Sequence, residues 1–172
     1  MPDFRVEHTF NCSEDTFWSK VFLDEEYNRK LFLERLKFSA WREASREERD
    51  QKLHRVVEAA PPMGEVPAAL KAVIGDNAGY QERGVLDRAA HRYTVEVVPN
   101  RLADKIQVKL EMITVADPSS PERCKRTVKG SVTAKIFGVG GLLEKKIIAD
   151  LEKSYSKSAE FTNQFIAEKG LR

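Results

Sequence analysis

The sequence is poor in the residues that build metal sites, disulfide frameworks and nucleophilic centres. Cys12 and Cys124 are its only cysteines, too few for a disulfide framework. The three histidines, His8, His54 and His91, stand far apart and form no metal-ligand spacing with the cysteines. Each reads as a strand residue without a catalytic role. There is no phosphate-binding loop ending in Gly-Lys-Ser/Thr and no nucleophile elbow. Gly138-Val139-Gly140-Gly141 precedes a helical stretch, but it lacks that ending and follows an antiparallel-type strand, which argues against a phosphate site. No apolar run approaches the ~20 residues of a membrane span. Met1-Pro2-Asp3-Phe4 has neither the basic nor the apolar region of a signal peptide, so a soluble cytoplasmic protein is expected. An excess of one charge is missing too. Lys and Arg number 29 against 27 Asp and Glu, a net charge of +2, which gives no case for a nucleic-acid partner. The signs interleave, as in Arg46-Glu47-Glu48-Arg49-Asp50, the pattern of a solvated surface.

What the sequence does have is periodicity. Its 172 residues fit one domain, residues 1–172, with room for a sizeable core. Phe4, Val6, His8 and Phe10 alternate with polar residues, giving a first strand. Ser13 offers a helix N-cap with acidic residues in the first turn. Phe17, Trp18, Val21 and Phe22 follow at helical spacing. After Asp24-Glu25-Glu26, Tyr27, Leu31, Phe32 and Leu36 begin a second short helix. Residues 38–60 read as two strands divided by the polar stretch 45–50, ended by Pro61-Pro62. Val66, Leu70, Val73 and Ile74 make a short helix with Pro67 near its first turn and Gly75 at its stop. Strands follow over 80–88, around Tyr93, Val95 and Val97, and around Ile106, Val108, Leu110 and Met112, with a turn at 117–121. Strands joined by short turns must be antiparallel, because parallel crossovers need a dozen residues or more. The expected fold class is α+β: one curved antiparallel sheet of seven strands with a long helix laid across it.

The last third is the most informative. A strand over 124–136 puts Val128, Gly130, Val132, Ala134 and Ile136 on one face and Lys125, Thr127, Lys129, Ser131, Thr133 and Lys135 on the other, the period of a strand with one wet face. A helix over about 142–167 follows, with one apolar stripe: Leu143, Ile147, Ile148, Leu151, Tyr155, Ala159, Thr162, Phe165 and Ile166. At ~1.5 Å per residue it spans roughly 40 Å. The stripe thins around Ser154, Ser158 and Ala159, above the small residues of the last strand. Such a void costs stability unless it is filled. Either Phe17, Trp18, Phe22, Trp41 and Tyr155 fill it, or a ligand does, and the pattern leaves both open.

This order of elements resembles the helix-grip fold of the START-like (SRPBCC) superfamily. The opening residues 4–10 followed by Phe17-Trp18 and Tyr27, Tyr80-Gln81-Glu82 after the Leu70 helix, and 128–144 with its Gly-Gly-Leu-Leu-Glu helix entry resemble an uncharacterised bacterial START-like family. The closing strand, glycine turn and helix entry are also similar to the sterol-binding START-like module of lipid-transfer proteins. The resemblance implies a cavity between sheet and C-terminal helix for a hydrophobic small molecule, a lipid or sterol, with transient membrane contact in a transfer role. It brings no catalytic residue, cofactor or metal with it. A cyclase, aromatase or hydrolase using the same pocket, with Glu82, His8 or His54 as its titratable group, is the alternative from the enzyme class. A protein-interaction module without a cavity is the third.

Residues of the last two strands and the helix are expected to line the pocket: Val108, Leu110, Met112, Val128, Val132, Leu151 and Tyr155. The candidate ligand-binding set adds Trp41, Leu70, Ile74, Tyr80, Glu82, Tyr93 and Val95. Of the neighbours Glu82 and Arg83, only one can face inward. Gly138, Gly140 and Gly141 form either a hinge beside the apolar Val139, Leu142 and Leu143 or a turn that needs glycine for its geometry alone. With Phe4 opposite Val132, Cys12 would lie opposite Cys124, and both are expected as buried free thiols.

Overall fold

The computed structural model describes residues 3–172; Met1 and Pro2 of the N-terminal stretch read above lie outside them. The chain runs through β1 (Asp3–Phe10) and α1 (Glu14–Thr16), which widens into π-helical turns over Phe17–Phe22. Next comes α2 (Glu25–Arg29), which widens likewise over Lys30–Arg35, then β2 (Ala40–Arg49), β3 (Lys52–Ala60) and α3 (Ala68–Ile74). Strands β4 (Tyr80–Asp87), β5 (Arg92–Pro99), β6 (Ile106–Asp117) and β7 (Ser120–Ala134) lead into α4 (Gly140–Lys169). The seven strands form one antiparallel sheet in the order β1-β7-β6-β5-β4-β3-β2.

Local chemistry sets the boundaries. The Ser13 hydroxyl accepts from the Thr16 amide, and the Asp24 carboxylate from the Tyr27 amide, so each short helix starts on a side-chain cap. The Asn28 amide donates to the carbonyls of Phe22 and Asp24, tying the break between them. Asp50 and Gln51 both adopt positive φ, 55° and 65°, the two-residue turn that suits a right-twisted hairpin. That turn, not the polar stretch 45–50, divides β2 from β3. Residues 45–49 of the stretch belong to β2, because an edge strand exposed on both faces carries charge readily. His91 also departs from expectation: it sits in the β5 entry turn with φ 50° and pairs with Glu14 and Asp15.

The inner face of the sheet is covered at one side by α4, which packs on β1, β7 and the Lys30–Arg35 turns. A chain of aromatic contacts crosses it further along. Phe10 and Phe17 (5.0 Å), Phe17 and Trp18 (5.0 Å), Trp18 and Phe22 (5.0 Å), and Phe22 and Tyr93 (4.9 Å) link β1 to β5. The small inner-face residues of β7 are also partly accounted for. A Cβ at Gly130 would collide with the Lys109 carbonyl and the Leu110 side chain, with Phe4 alongside, so that space is occupied by neighbours.

The β1–β7 register differs from expectation by two residues. Phe4 lies opposite Gly130, and Phe10, not Cys12, lies opposite Cys124. The two thiols meet all the same, because Cys12 follows Phe10 just beyond the strand end. Both are free and fully buried, and the Cys124 thiol is pushed well up by its hydrogen bond to Cys12 and by burial.

Candidate functional site

The inner face carries a set of polar side chains that an apolar core has no need of. On β4 the even positions face inward, so Glu82 points into the molecule and Arg83 lies in solvent beside Gln81. Tyr93, on β5, is buried, and its hydroxyl donates to Glu82 Oε1 at 3.1 Å. Gly84 makes that bond possible: a Cβ there would fall on the Tyr93 ring. Burial raises the Glu82 carboxyl, against the opposing pull of Arg55 and the Tyr93 hydrogen bond. The Tyr80 phenol is pushed up by burial and by the Glu82 charge.

Two arginines lie on the same inner face, and sequence reading missed both. Arg55, on β3, is 3% exposed. Its guanidinium carbon stands 4.9 Å over Phe22 and 5.5 Å from the Trp41 ring centre. Its Nε lies 3.0 Å from Glu43 Oε2, though out of hydrogen-bonding alignment. Arg126, on β7, is 2% exposed and is sandwiched between Phe10 (4.8 Å) and Tyr155 (5.2 Å). Its Nη2 reaches His8 Nδ1 at 3.2 Å and the Tyr155 carbonyl at 3.3 Å. Burial and the Arg126 charge lower His8, so its ring stays neutral at neutral pH. Strand alternation held the signal for both arginines: Leu53, Arg55 and Val57 share one parity, as do Cys124, Arg126 and Val128.

The fourteen sequence-predicted ligand residues fall into three groups. Leu70, Tyr93, Val95, Val108, Leu110, Met112, Val128 and Val132 are buried. Trp41 and Ile74 are half-buried at the periphery, Trp41 stacked on Phe32 at 5.0 Å. Tyr80, Glu82, Leu151 and Tyr155 are half-buried and face inward. An open cleft of about 680 Å³ lies where β2, β3, β4 and β5 end together, lined by Trp41, Tyr80, Leu33, Ala59, Pro99 and Asn100 among others. A second, about 500 Å³, separates β1 from α4 beside His8, Lys153 and Lys157. Among the described residues, no three His, Cys, Asp or Glu side chains stand close enough to hold a metal ion. Among the same residues, no helix is long and apolar enough to cross a membrane.

The model of the family described as Protein of unknown function (DUF2505) matches residues 5–166. The chain belongs to that family. Curated proteins give no match to it. This DUF2505 chain is similar to the Zhui aromatase/cyclase from Streptomyces sp. R1128, at 13% identity over 98% of this chain and 96% of that one, TM-score 0.65. It is similar to norcoclaurine synthase from Thalictrum flavum, solved with dopamine and hydroxybenzaldehyde, at 16% identity over 97% and 87%, TM-score 0.62. A START superfamily protein from Mycobacterium smegmatis matches at 13% identity over 96% and 97%, TM-score 0.58. At these identities the likeness concerns the fold, and the fold is the START-like helix grip.

Proposed function

We propose that this DUF2505 chain binds a hydrophobic or amphipathic small molecule, lipid or sterol in kind, between the inner face of the sheet and α4. One observation carries the reading. Tyr80, Glu82 and Tyr155 lie deep among protein atoms, yet each keeps part of its surface accessible. Each therefore has space beside it that a ligand can reach, Tyr80 from the open cleft at the strand ends. Apolar burial at ~25 cal/mol per Å² gives a ligand of lipid or sterol size useful affinity there without many polar contacts. A carrier purified from cells should release stoichiometric lipid into organic solvent, identified by mass spectrometry. Repeatedly empty extracts, together with sterol and fatty-acid titrations without effect, would sink this reading.

The Glu82 cluster favours a second reading, catalysis in the same space. A carboxyl raised by burial, hydrogen-bonded to a tyrosine and facing a buried arginine, is the setting of a general acid. The aromatase/cyclase and the synthase among the neighbours are enzymes on this fold, a fold-level analogy. If the chain is an enzyme, Glu82→Gln removes turnover and leaves ligand binding in place. If it is a carrier, Glu82→Gln leaves transfer unchanged.

A further inference from the structure

The two inner-face arginines are equally buried but not equally paired. Arg55 has the Glu43 carboxylate at 3.0 Å and acts on the charge of Glu82. The groups acting on Arg126 are the Tyr27 and Tyr155 hydroxyls and the Cys124 thiol, none of them a carboxylate, and the His8 ring beside it is neutral. Among the described residues no carboxylate forms an ion pair with it. Its Nε is buried with no hydrogen-bond acceptor, and Nη2 makes only two long bonds to uncharged atoms. Burying a guanidinium without a counter-charge is strongly unfavourable. Stacking between Phe10 and Tyr155 recovers part of that cost.

The missing partner has a definite chemistry. A guanidinium with an unengaged Nε presents one arm of the fork that grips a carboxylate with two parallel hydrogen bonds. Tyr155, which stacks on Arg126, is one of the deep residues that keep accessible surface, and the Glu82 charge reaches it. Nε itself is sealed from solvent, and the accessible space nearest to it is the one that Tyr155 borders. Arg55, shared with Glu43, and the burial that disfavours the Glu82 charge both reduce the repulsion between Glu82 and an anion there. Resting on the reading of that space as a ligand site, we propose that the ligand is a hydrophobic anion whose carboxylate pairs with Arg126 while its apolar body lies along α4.

Decanoate and decan-1-ol share a chain and differ in the head group, so calorimetric titration of the wild-type protein with each decides the question. The expected result at pH 7.5 is decanoate binding at least tenfold tighter than decan-1-ol. Arg126→Met should bring decanoate down to the level of the alcohol and leave the alcohol unchanged. Equal binding of the two probes to the wild type overturns this inference alone. Binding of neither overturns the ligand-site reading and this inference with it. Retention of the preference in Arg126→Met assigns the anion elsewhere and refutes the role of Arg126. Should that variant not fold, carboxyl-labelled decanoate on the wild type gives the answer by NMR. Pairing with Arg126 lowers the bound carboxyl pKa by at least one pH unit, and a bound pKa at or above the free value refutes it.

Discussion

At the scale of single residues, Glu82 is the group whose surroundings make the clearest statement. Its folded pKa lies above the unfolded value of about 4.3, chiefly through burial. In the window between the two values the folded state holds more protons than the unfolded one, so stability falls as pH rises through it. The contribution is complete below the unfolded pKa and lost above the folded one. Urea denaturation across pH 4 to 8 should therefore show Glu82→Gln gaining stability relative to wild type as pH rises. A flat difference would mean that Glu82 is not buried in the way its contacts indicate. Why Glu82 was legible in the sequence and the arginines were not is a matter of parity against composition. Its place in the alternation of β4 left it or Arg83 facing inward. Arg55 and Arg126 obey the same alternation, but buried arginines are rare, so period and residue type pointed in opposite directions. Stacking on Phe22, Trp41, Phe10 and Tyr155 resolves the conflict, and rings distant in sequence are not visible in a strand pattern.

At the scale of elements, the order of strands and helices was readable because each has its own period and punctuation. The β1–β7 register was not. A slip of two residues keeps every side chain on its own face, so the apolar pattern cannot tell Phe4 opposite Val132 from Phe4 opposite Gly130. The thiols survive the slip as a pair: both should be unreactive to a thiol reagent in the native state and react fully once unfolded under reducing conditions. Reaction of either in the native protein would place it outside the core. The turn between β7 and α4 divides its glycines by role. Gly138 has φ 82°, and a Cβ at Gly140 would collide with the Ala134 carbonyl, whereas one at Gly141 meets nothing. The Glu144 carboxylate, accepting from the Ala134 amide at 2.9 Å, fastens the same turn. Gly140→Ala is thus expected to cost about 1–3 kcal/mol through overpacking. Gly141→Ala, at the start of a helix, should be neutral or stabilising by up to about 1 kcal/mol. Thermal denaturation separates them. Only Gly141→Ala can then report on a gate: slower ligand exchange at undiminished stability supports the hinge expected from sequence, and unchanged exchange leaves the turn a purely structural one.

At the scale of the whole molecule, the helix and the sheet close against each other unevenly, and that unevenness separates a carrier from a packed core. The C-terminal half of α4 is sealed: Ala159, Thr162, Phe165 and Ile166 are all buried, and the Tyr27 hydroxyl meets Thr162 Oγ1 at 2.7 Å. Further toward its N-terminus, Ile147, Ile148, Leu151 and Tyr155 are apolar or aromatic yet only half-buried. On β7, against which α4 packs, Val128 and Val132 are fully buried. Added volume should therefore have opposite effects on the two sides. Val132→Trp forces a large ring into filled space and is expected to cost more than about 3 kcal/mol, at or beyond the upper end of overpacking. Leu151→Trp extends into accessible space, so it should stay within about 1 kcal/mol of wild type while lowering the capacity for an apolar ligand such as decan-1-ol. Ligand itself should raise the melting temperature of the wild type by mass action, about 2.7 kcal/mol at a hundred times its Kd, and should raise that of Leu151→Trp much less. Equal destabilisation by both tryptophans would mean that α4 and the sheet are packed throughout, leaving no room for a ligand between them.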